Sequence, residues 1–358
     1  MPSLKEIKGR INSISSTLAI TSAMKMVAAA KLQKAQMAIQ NMLPYERRLH
    51  SMLIDLMGAM NISAAASEDG SVRGSGSAER GFDQSGDRLS LSNRHDLAGM
   101  DGAYSLMAQR EVRKVAIVAF ASNSSLCGAF NSNVIREATA VINEYRASGL
   151  GDADITVYSV GRKMAEAMKK LGFPSPADFT KMSDSPSYEA ASALAQELLD
   201  GFVSGRFDKV ELVYNHYKST SSQPTTRQTY LPLSLADATA DLQAGKITDP
   251  ASETDTNRVA EPVGAPVVRQ GSPTTEDLIV EPSKEALIAT LLPKVIRLRI
   301  FTTLLDSAAA EHAARTVAMQ LATDNGNDLL QELTLEYNKG RQQKITSEIL
   351  DLVGGSMQ

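Results

Sequence analysis

The sequence predicts an α/β protein with two parts: a long antiparallel coiled coil of the N- and C-terminal helices, and a smaller α/β domain encoded between them. Three observations lead to this prediction. Apolar residues recur at coiled-coil spacing near the N-terminus, strand-like and helix-like stretches alternate in the middle, and a helical pattern returns and continues almost to the C-terminus. Two helices at opposite ends of one chain can pair in opposite directions.

The composition favours a helix-rich protein of two or three domains. The chain has 358 residues, of which 43% are hydrophobic and only 5% aromatic, with no Trp, a balance more typical of long helices than of a β-sandwich or barrel. The net charge is −4, which gives no indication of nucleic-acid binding. Residues 1–50 nevertheless carry eight Lys or Arg against two Glu, so the N-terminal segment is basic.

Cysteine usage and hydropathy predict a soluble protein of a reducing compartment. Cys127 has no second cysteine with which to form an intramolecular disulfide. No run approaches the roughly 20 apolar residues that cross a bilayer. Met1–Arg10 also lacks the apolar stretch of a signal peptide. We therefore expect neither a membrane span nor secretion.

The first helix is predicted to cover residues 1–62. Its apolar seam advances alternately by four and three residues for about five heptads, which is the repeat of helices that supercoil around a partner. The seam consists of Ile7, Ile11, Ile14, Leu18, Thr21, Lys25, Ala28, Leu32, Ala35, Ile39 and Met42. Thr21 and Lys25 interrupt the seam, and polar groups at such positions fix register or meet something outside the pair. Pro44 is expected to kink or interrupt the helix locally.

Residues 104–282 are predicted to form the α/β domain. Its expected strands are Val115–Phe120, Ile155–Val160 and Lys209–Lys218, and its expected helices are Asn131–Arg146, Gly161–Leu171 and Tyr188–Val203. This alternation indicates a mainly parallel sheet. Two polar segments, 63–103 and 236–276, contain too few apolar residues to offset the entropy of ordering, so we expect both to be flexible insertions.

The last helix is predicted to cover residues 283–358 and to be the partner of the first. Its apolar positions include Leu291, Val295, Leu298, Leu305, Val317, Leu321, Leu329, Leu333, Ile345, Ile349 and Leu352. About 75 helical residues at about 1.5 Å each would reach roughly 110 Å. The predicted shape is a rod standing on a base.

The loop Ala121–Asn131 is the first place to look for an active site, because it is rich in Ser and Gly and follows a strand. It lacks both G-x-G-x-x-G and the Lys of G-x-x-x-x-G-K-[ST], which favours a structural turn over a nucleotide site. Cys127 has no neighbouring His to activate it as a nucleophile. The histidines lie far apart in the sequence, so we expect neither a metal site nor a cofactor; they are His50, His95, His216 and His312.

A cluster of hydrogen-bonding side chains extends from Tyr337 to Thr346. Two interpretations of it stay open. Composition and spacing alone favour an exposed helix face. The alternative is a recognition surface for carboxylates and carbonyls, since Arg and Gln offer directional donors.

Three ordered motifs resemble the gamma subunit of F-type ATP synthases, which forms the central stalk of that enzyme. They are Ile7-Lys8-Gly9-Arg10-Ile11 with Ile20–Lys31, then Leu126-Cys127-Gly128-Ala129-Phe130-Asn131, and finally Glu311–Asp324 with Tyr337–Gln342 and Ile345–Ile349. The resemblance is to the bacterial type, because plant plastid relatives carry a regulatory dithiol that one cysteine cannot provide. It leaves the two insertions unexplained.

The resemblance implies a rotor shaft without a catalytic site. Proton-driven rotation of the membrane c-ring would turn the shaft, and its asymmetric surface would drive the catalytic subunits through their conformations of ATP synthesis. The implied partners are the alpha and beta subunits of the catalytic hexamer, the epsilon subunit and the c-ring, with no nucleic acid. The implied location is peripheral, on the cytoplasmic side of the cell inner (plasma) membrane.

The family's fold is a coiled coil on a Rossmann-like domain that binds no nucleotide, and its helix continues through Asp324-Asn325-Gly326. By motif position, Arg341 and Gln342 would contact loops of the catalytic subunits. The residues expected to assist this coupling are Thr346, Glu348, Arg315 and Lys25. Lys25 would lie near acidic segments of a catalytic subunit, which matches the basic N-terminal segment.

Two other functions fit parts of the pattern. A Rossmann-like enzyme with helical oligomerisation arms would bind nucleotide or show activity as an isolated chain. If the chain were only a structural coiled-coil scaffold, substitution of Arg341 or Gln342 would not change the ATPase activity of any complex. The agreement of the terminal motifs with the predicted rod on a base favours the rotor.

Overall fold

The structure, a computed structural model, describes residues 3–68, 106, 110–233 and 284–356. Its elements in chain order are α1 (Leu4–Glu68), β1 (Val115–Phe120), α2 (Phe130–Ala147), β2 (Ile155–Val160), α3 (Arg162–Lys170), α4 (Thr180–Asp184), α5 (Tyr188–Val203), β3 (Lys209–Asn215), β4 (Thr225–Leu231) and α6 (Lys284–Ser356). The predicted insertion 236–276 and residues 69–103 of the other one lie outside the described residues. The predicted division into domains stays a prediction.

Helices α1 and α6 form the antiparallel pair that the sequence predicts. Leu4 of α1 lies against Gly340 of α6, and Leu18 lies against Gly326, so fourteen residues forward on one helix match fourteen residues backward on the other. Every residue of the predicted α1 seam is buried or half-buried. Thr323 Oγ1 donates a hydrogen bond of 3.1 Å to Thr21 Oγ1 across the pair. The polar interruption at Thr21 is therefore satisfied inside the coiled coil.

Helix α1 passes through Pro44 as a continuous helix, so the predicted interruption at this residue is wrong. Proline removes one backbone hydrogen bond and costs about 3 kcal/mol inside a helix. Leu43 and Leu49, on either side of it, are buried. Because each buried leucine contributes about 1.5–3 kcal/mol, packing offsets the cost and keeps the chain helical. Helix α6 likewise continues through Asp324-Asn325-Gly326, as the resemblance implied.

The sheet has four strands in the order β2-β1-β3-β4. Strand β1 pairs in parallel with both β2 and β3, while β4 is antiparallel to β3 at the edge. The bounds of β1 and β2 are those predicted, whereas β3 ends at Asn215 rather than Lys218. Strand β4 (TTRQTYL) was not predicted, because its first five residues are only half-buried and mostly polar. The sheet is mainly parallel with one antiparallel edge.

Each face of the sheet is covered by helices. On one face, β1 and β3 contribute Phe120 and Leu212 to a large core with α5, the base of α6 and Leu53 of α1. On the other face, Ile117 packs with α2 and Met164 of α3. The base of the coiled coil is thus part of the main hydrophobic core rather than an appendage to it.

Candidate functional site

The far end of α6 carries four of the predicted site residues on its surface. Leu4, where α1 begins, lies opposite Gly340, so α6 extends past its partner for 16 residues, 341–356, or about 24 Å. We call these residues the tip. Every residue from 341 to 350 is exposed. The four predicted site residues in the tip are Arg341, Gln342, Thr346 and Glu348.

Internal contacts occupy only part of the polar groups of the tip. Thr346 Oγ1 donates to the Gln342 carbonyl at 2.9 Å, and Glu348 pairs with Lys344 at 3.9 Å. Within the described part of the chain, the side chains of Arg341 and Gln342 make no hydrogen bond. An exposed ion pair such as Lys344–Glu348 contributes about 0–1 kcal/mol. The donors of Arg341 and Gln342 are therefore available to another protein.

The tip also exposes large apolar side chains. Ile345, Ile349 and Leu352 are 48%, 54% and 74% exposed and follow one another at helical spacing on one face. Isolated exposed apolar residues are ordinary, but a contiguous stripe beside unpaired donors is typical of a surface that meets another protein. The tip is thus amphipathic without an intramolecular partner among the described residues.

Lys25 lies far from the tip. It is half-buried on α1, one turn beyond Thr21. Leu4 marks the level of Gly340, so the 21 residues from Leu4 to Lys25 place this lysine about 32 Å down the rod. The structure does not bring Lys25 together with Arg341.

Arg315 is buried near the middle of α6, where the α/β domain meets the rod, rather than exposed at the tip. It lies 26 residues before Arg341, about 39 Å along α6. Its guanidinium donates 2.7 Å hydrogen bonds to Glu311 of α6 and to Ser124 of the loop after β1. Arg315 is buried and attaches the α/β domain to the shaft.

The neighbours of Arg315 have shifted pKa values. Burial raises the pKa of Glu311, although the adjacent guanidinium opposes this shift. Burial, together with the charges of Arg315 and Lys31, lowers the pKa of His312 to about 4. His312 is therefore neutral at physiological pH.

The loop Ala121–Asn131, for which the sequence favoured a structural turn, is held by hydrogen bonds among its own residues. Asn131 Oδ1 accepts from the Ser122 backbone N–H at 3.0 Å, and Asn131 Nδ2 donates to Cys127 Sγ at 3.1 Å. Cys127 is buried against Phe130 and Ala310 of α6. These contacts seat the domain on α6.

A buried ion network that the sequence analysis missed crosses the sheet between β3 and β4. Glu211 accepts from Tyr145 Oη at 2.6 Å, Arg227 Nε at 2.7 Å and Lys209 Nζ at 2.7 Å, and Arg227 also pairs with Glu144. Burial raises the pKa of Glu211, but these three donors outweigh it and hold the pKa below its usual value. The available signal was in β3, where the charged Lys209 and Glu211 alternate with apolar residues. Every member has a partner, so the network is structural.

The described residues give no indication of a metal centre or a membrane span. None of their His, Cys, Asp and Glu side chains form a group of three that could hold a metal ion. Among the helices described, none is long and apolar enough to cross a bilayer. An open groove of about 280 Å³ beside α4 and α5 is lined by residues including Phe179, Met182 and Leu194.

Known proteins match this chain over its whole length. The family described as ATP synthase matches residues 3–357. The ATP synthase gamma chain of Phocaeicola vulgatus is 48% identical over 357 residues, covering 100% of both chains. That of Bacteroides thetaiotaomicron is 45% identical over 358 residues, again with 100% of both covered.

The chain belongs to the ATP synthase gamma-chain family. The two polar segments, 63–103 and 236–276, fall inside the full-length matches, so these gamma chains extend over the same length. A more distant gamma chain, from Flavobacterium johnsoniae, is 36% identical and covers 99% of this chain and 98% of its own. The identity that the terminal motifs implied is confirmed.

Solved structures support the fold of the gamma-chain family. A chain of the Euglena gracilis mitochondrial ATP synthase in rotational state 3 aligns with a TM-score of 0.52 and 18% identity, over 99% of this chain and 93% of that one. A rotor chain of the same enzyme in rotational state 1 gives 0.50 and 18%, over 96% and 98%. Membership of the gamma-chain family makes this chain a non-catalytic stalk subunit of ATP synthase, which couples rotation to the catalytic cycle.

Proposed function

We propose that the tip is the surface through which this stalk subunit acts on the alpha and beta subunits of the catalytic hexamer. Two features of the tip carry the proposal. Arg341 and Gln342 have donors that no described residue occupies, and an exposed apolar stripe lies beside them, on a part of α6 that extends past the end of α1. Arg and Gln recognise carboxylates and carbonyls directionally, and a hydrogen bond to a charged group contributes about 1.5–3 kcal/mol.

The remaining predicted residues take different parts in this proposal. Thr346 and Glu348 belong to the tip and would shape its contact surface. Lys25, about 32 Å lower, would meet acidic segments of a catalytic subunit at another level of the rod. Arg315 would act from within, by fixing the α/β domain to α6 through Ser124 and Glu311.

We further propose that the base of the molecule is seated on the membrane c-ring and the epsilon subunit, on the cytoplasmic side of the cell inner membrane. The antiparallel pair supports this arrangement, because it places the tip and the α/β domain at opposite ends of a helix of 73 residues, about 110 Å long. Proton flow would turn the base, and the rod would carry the rotation to the catalytic subunits.

The test is the ATPase activity of a reconstituted catalytic hexamer with the wild-type chain, with Arg341→Ala plus Gln342→Ala, and without the chain. The double variant is expected to lower turnover by about tenfold, the factor that corresponds to about 1.4 kcal/mol. The isolated chain is expected to be inactive.

A matched control carries the same two changes on the α/β domain, Arg136→Ala plus Gln223→Ala. Among the described residues, both side chains bond only within their own helix or turn, so turnover is expected to stay at the wild-type value. Turnover that does not respond to the tip variant, or activity in the isolated chain, would refute the proposed function.

A further inference from the structure

Tyr217, two residues after β3, joins the α/β domain to both helices of the rod. Its hydroxyl accepts a 2.7 Å hydrogen bond from Gln36 Nε2 on α1. Its backbone N–H donates a 2.9 Å hydrogen bond to Asp306 Oδ1 on α6. One residue of the domain thus bonds to each of the two helices, at the same level of the rod.

The ring of Tyr217 also packs between two small apolar clusters. One cluster combines Leu32, Ala309 and Ala313, and the other combines Cys127, Phe130 and Ala310. Among the described residues, Tyr217 is the side chain that packs against both. Alanines on this side of α6 let the ring approach the helix closely, so it fills the space where α1, α6 and the domain meet.

The backbone around this tyrosine is held from several sides. His216 Nδ1 and Asp306 Oδ2 are 2.7 Å apart, so the Asp306 carboxylate binds two successive residues. Asn215 Nδ2 donates to the Phe130 carbonyl at 3.1 Å, and Thr225 Oγ1 donates to Asn215 Oδ1 at 2.7 Å. The segment is therefore fixed to α2, β4 and α6 together, which holds the backbone of Tyr217 in place between the domain and α6.

This junction lies where the domain gives way to the bare coiled coil. The loop after β1 approaches α6 as far as Ala318, next to Gly128. Between there and Gly340, Thr323 bonds to Thr21, Gly326 faces Leu18 and Gly340 faces Leu4, all three on α1. A torque between the domain and the tip must therefore pass through contacts at and below this level.

We propose that Tyr217 is the positioning residue that locks the α/β domain to both helices, so that domain and rod turn as one rigid body. The inference rests on the proposed function, in which the domain and the tip act on different partners. Bonds to α1 and α6 divide the torque between the two helices and oppose slippage of one helix along the other. Loss of these bonds would leave a torsionally soft joint.

The test is the torsional stiffness of the shaft in the assembled complex. A bead is attached to the thiol introduced by Lys169→Cys on the exposed face of α3, while Cys127 is buried and unreactive. The tip is held in an immobilised catalytic hexamer stopped by an inhibitor, and the angular variance of the bead is recorded. Tyr217→Ala and Asp306→Ala are expected to raise this variance severalfold, and Tyr217→Phe, which keeps the ring, by less.

The matched control is Tyr45→Ala, which removes an exposed tyrosine from α1 and is expected to leave the variance unchanged. Lowered thermal stability without a change in variance would show a merely structural role and overturn the proposal, as would an equal rise in the control. If the Tyr217→Ala chain does not assemble, the angular variance of the Tyr217→Phe complex is compared with wild type and with the control instead, and no rise in that variance would overturn the proposal. If ATP does not turn the wild-type bead before inhibition, the proposed function itself fails, which separates the two outcomes.

Discussion

At the scale of residues, His312 shows how burial at the junction of the rod with the α/β domain changes a titration. The folded chain holds its pKa at about 4, against about 6.5 for an ordinary histidine, because burial and the charges of Arg315 and Lys31 disfavour the imidazolium. Between those two values the unfolded chain binds more protons than the folded one. The free energy of unfolding contributed by His312 therefore falls as the pH is lowered from about 6.5 to about 4.

We expect the ¹³C-resolved imidazole resonance of His312 in NMR to titrate near pH 4. In urea unfolding, His312→Gln is expected to flatten the loss of stability between pH 6.5 and 4. The raised pKa of Glu311 changes stability in the opposite direction, because the folded state holds the carboxyl proton more tightly. The contribution of His312 is therefore taken from the difference in stability between His312→Gln and the wild type at each pH. A His312 resonance that titrates near 6.5 would contradict the buried junction.

The buried carboxylate of Glu211 is expected to be costly to remove. Glu211→Gln leaves the cations Arg227 and Lys209 without their shared partner, and breaking a buried pair in this way costs about 3–5 kcal/mol. The control is Glu166→Gln, whose exposed pairs with Arg162 and Lys163 contribute at most about 1 kcal/mol. Thermal unfolding followed by circular dichroism compares the stabilities of the two variants. Equal losses of stability would show that the buried network contributes little.

At the scale of elements, the close approach of the two long helices depends on Gly326. A Cβ at this position would lie 3.1 Å from the side chain of Leu18, whereas a Cβ at Gly9 would have no atom within 4 Å. Gly326→Val is expected to force the helices apart and destabilise the chain by about 1–3 kcal/mol. Gly9→Val gains a few tenths of a kcal/mol from helix propensity alone. If the melting temperatures of both variants rose together, the packing of α1 on α6 would be contradicted.

Elements with a strong apolar pattern could be predicted from the sequence, and elements stabilised by their partners could not. The bounds of β1, β2 and α5 follow from continuous or periodic apolar runs. Strand β4 was not predicted, because its polar residues are stabilised by contacts with Glu211 and with the edge of β3. The periodicity of a sequence does not report such contacts. The helix through Pro44 survives because α6 packs beside it.

The candidate site was predictable to a similar extent. The motifs identified the tip residues Arg341 and Gln342, and the structure leaves both exposed. Arg315 belongs to the same C-terminal motifs, yet a motif does not report that its side chain is buried against Ser124, about 39 Å from the tip. Tyr217 and Asp306 had no signal in the sequence, since their contacts join segments about 90 residues apart.

At the scale of the whole molecule, the fold is suited to transmit rotation over a distance. The base of α1 and α6 is buried in the main core with the sheet, and only their far part stands free. The rod therefore has one rigid end on the α/β domain and one chemically distinct end at the tip. No bond needs to be made or broken by this chain for the complex to work.

The measurement that tests this account most directly is the rotation of a bead attached to the Lys169→Cys variant of the chain, assembled into an immobilised catalytic hexamer with ATP supplied. We expect continuous rotation in one direction while ATP is hydrolysed, because the base of α1 and α6 is buried in the same core as the sheet and the rod should carry the α/β domain with it. A bead that stays still, or moves without a preferred direction, while the hexamer hydrolyses ATP at its normal rate would contradict it.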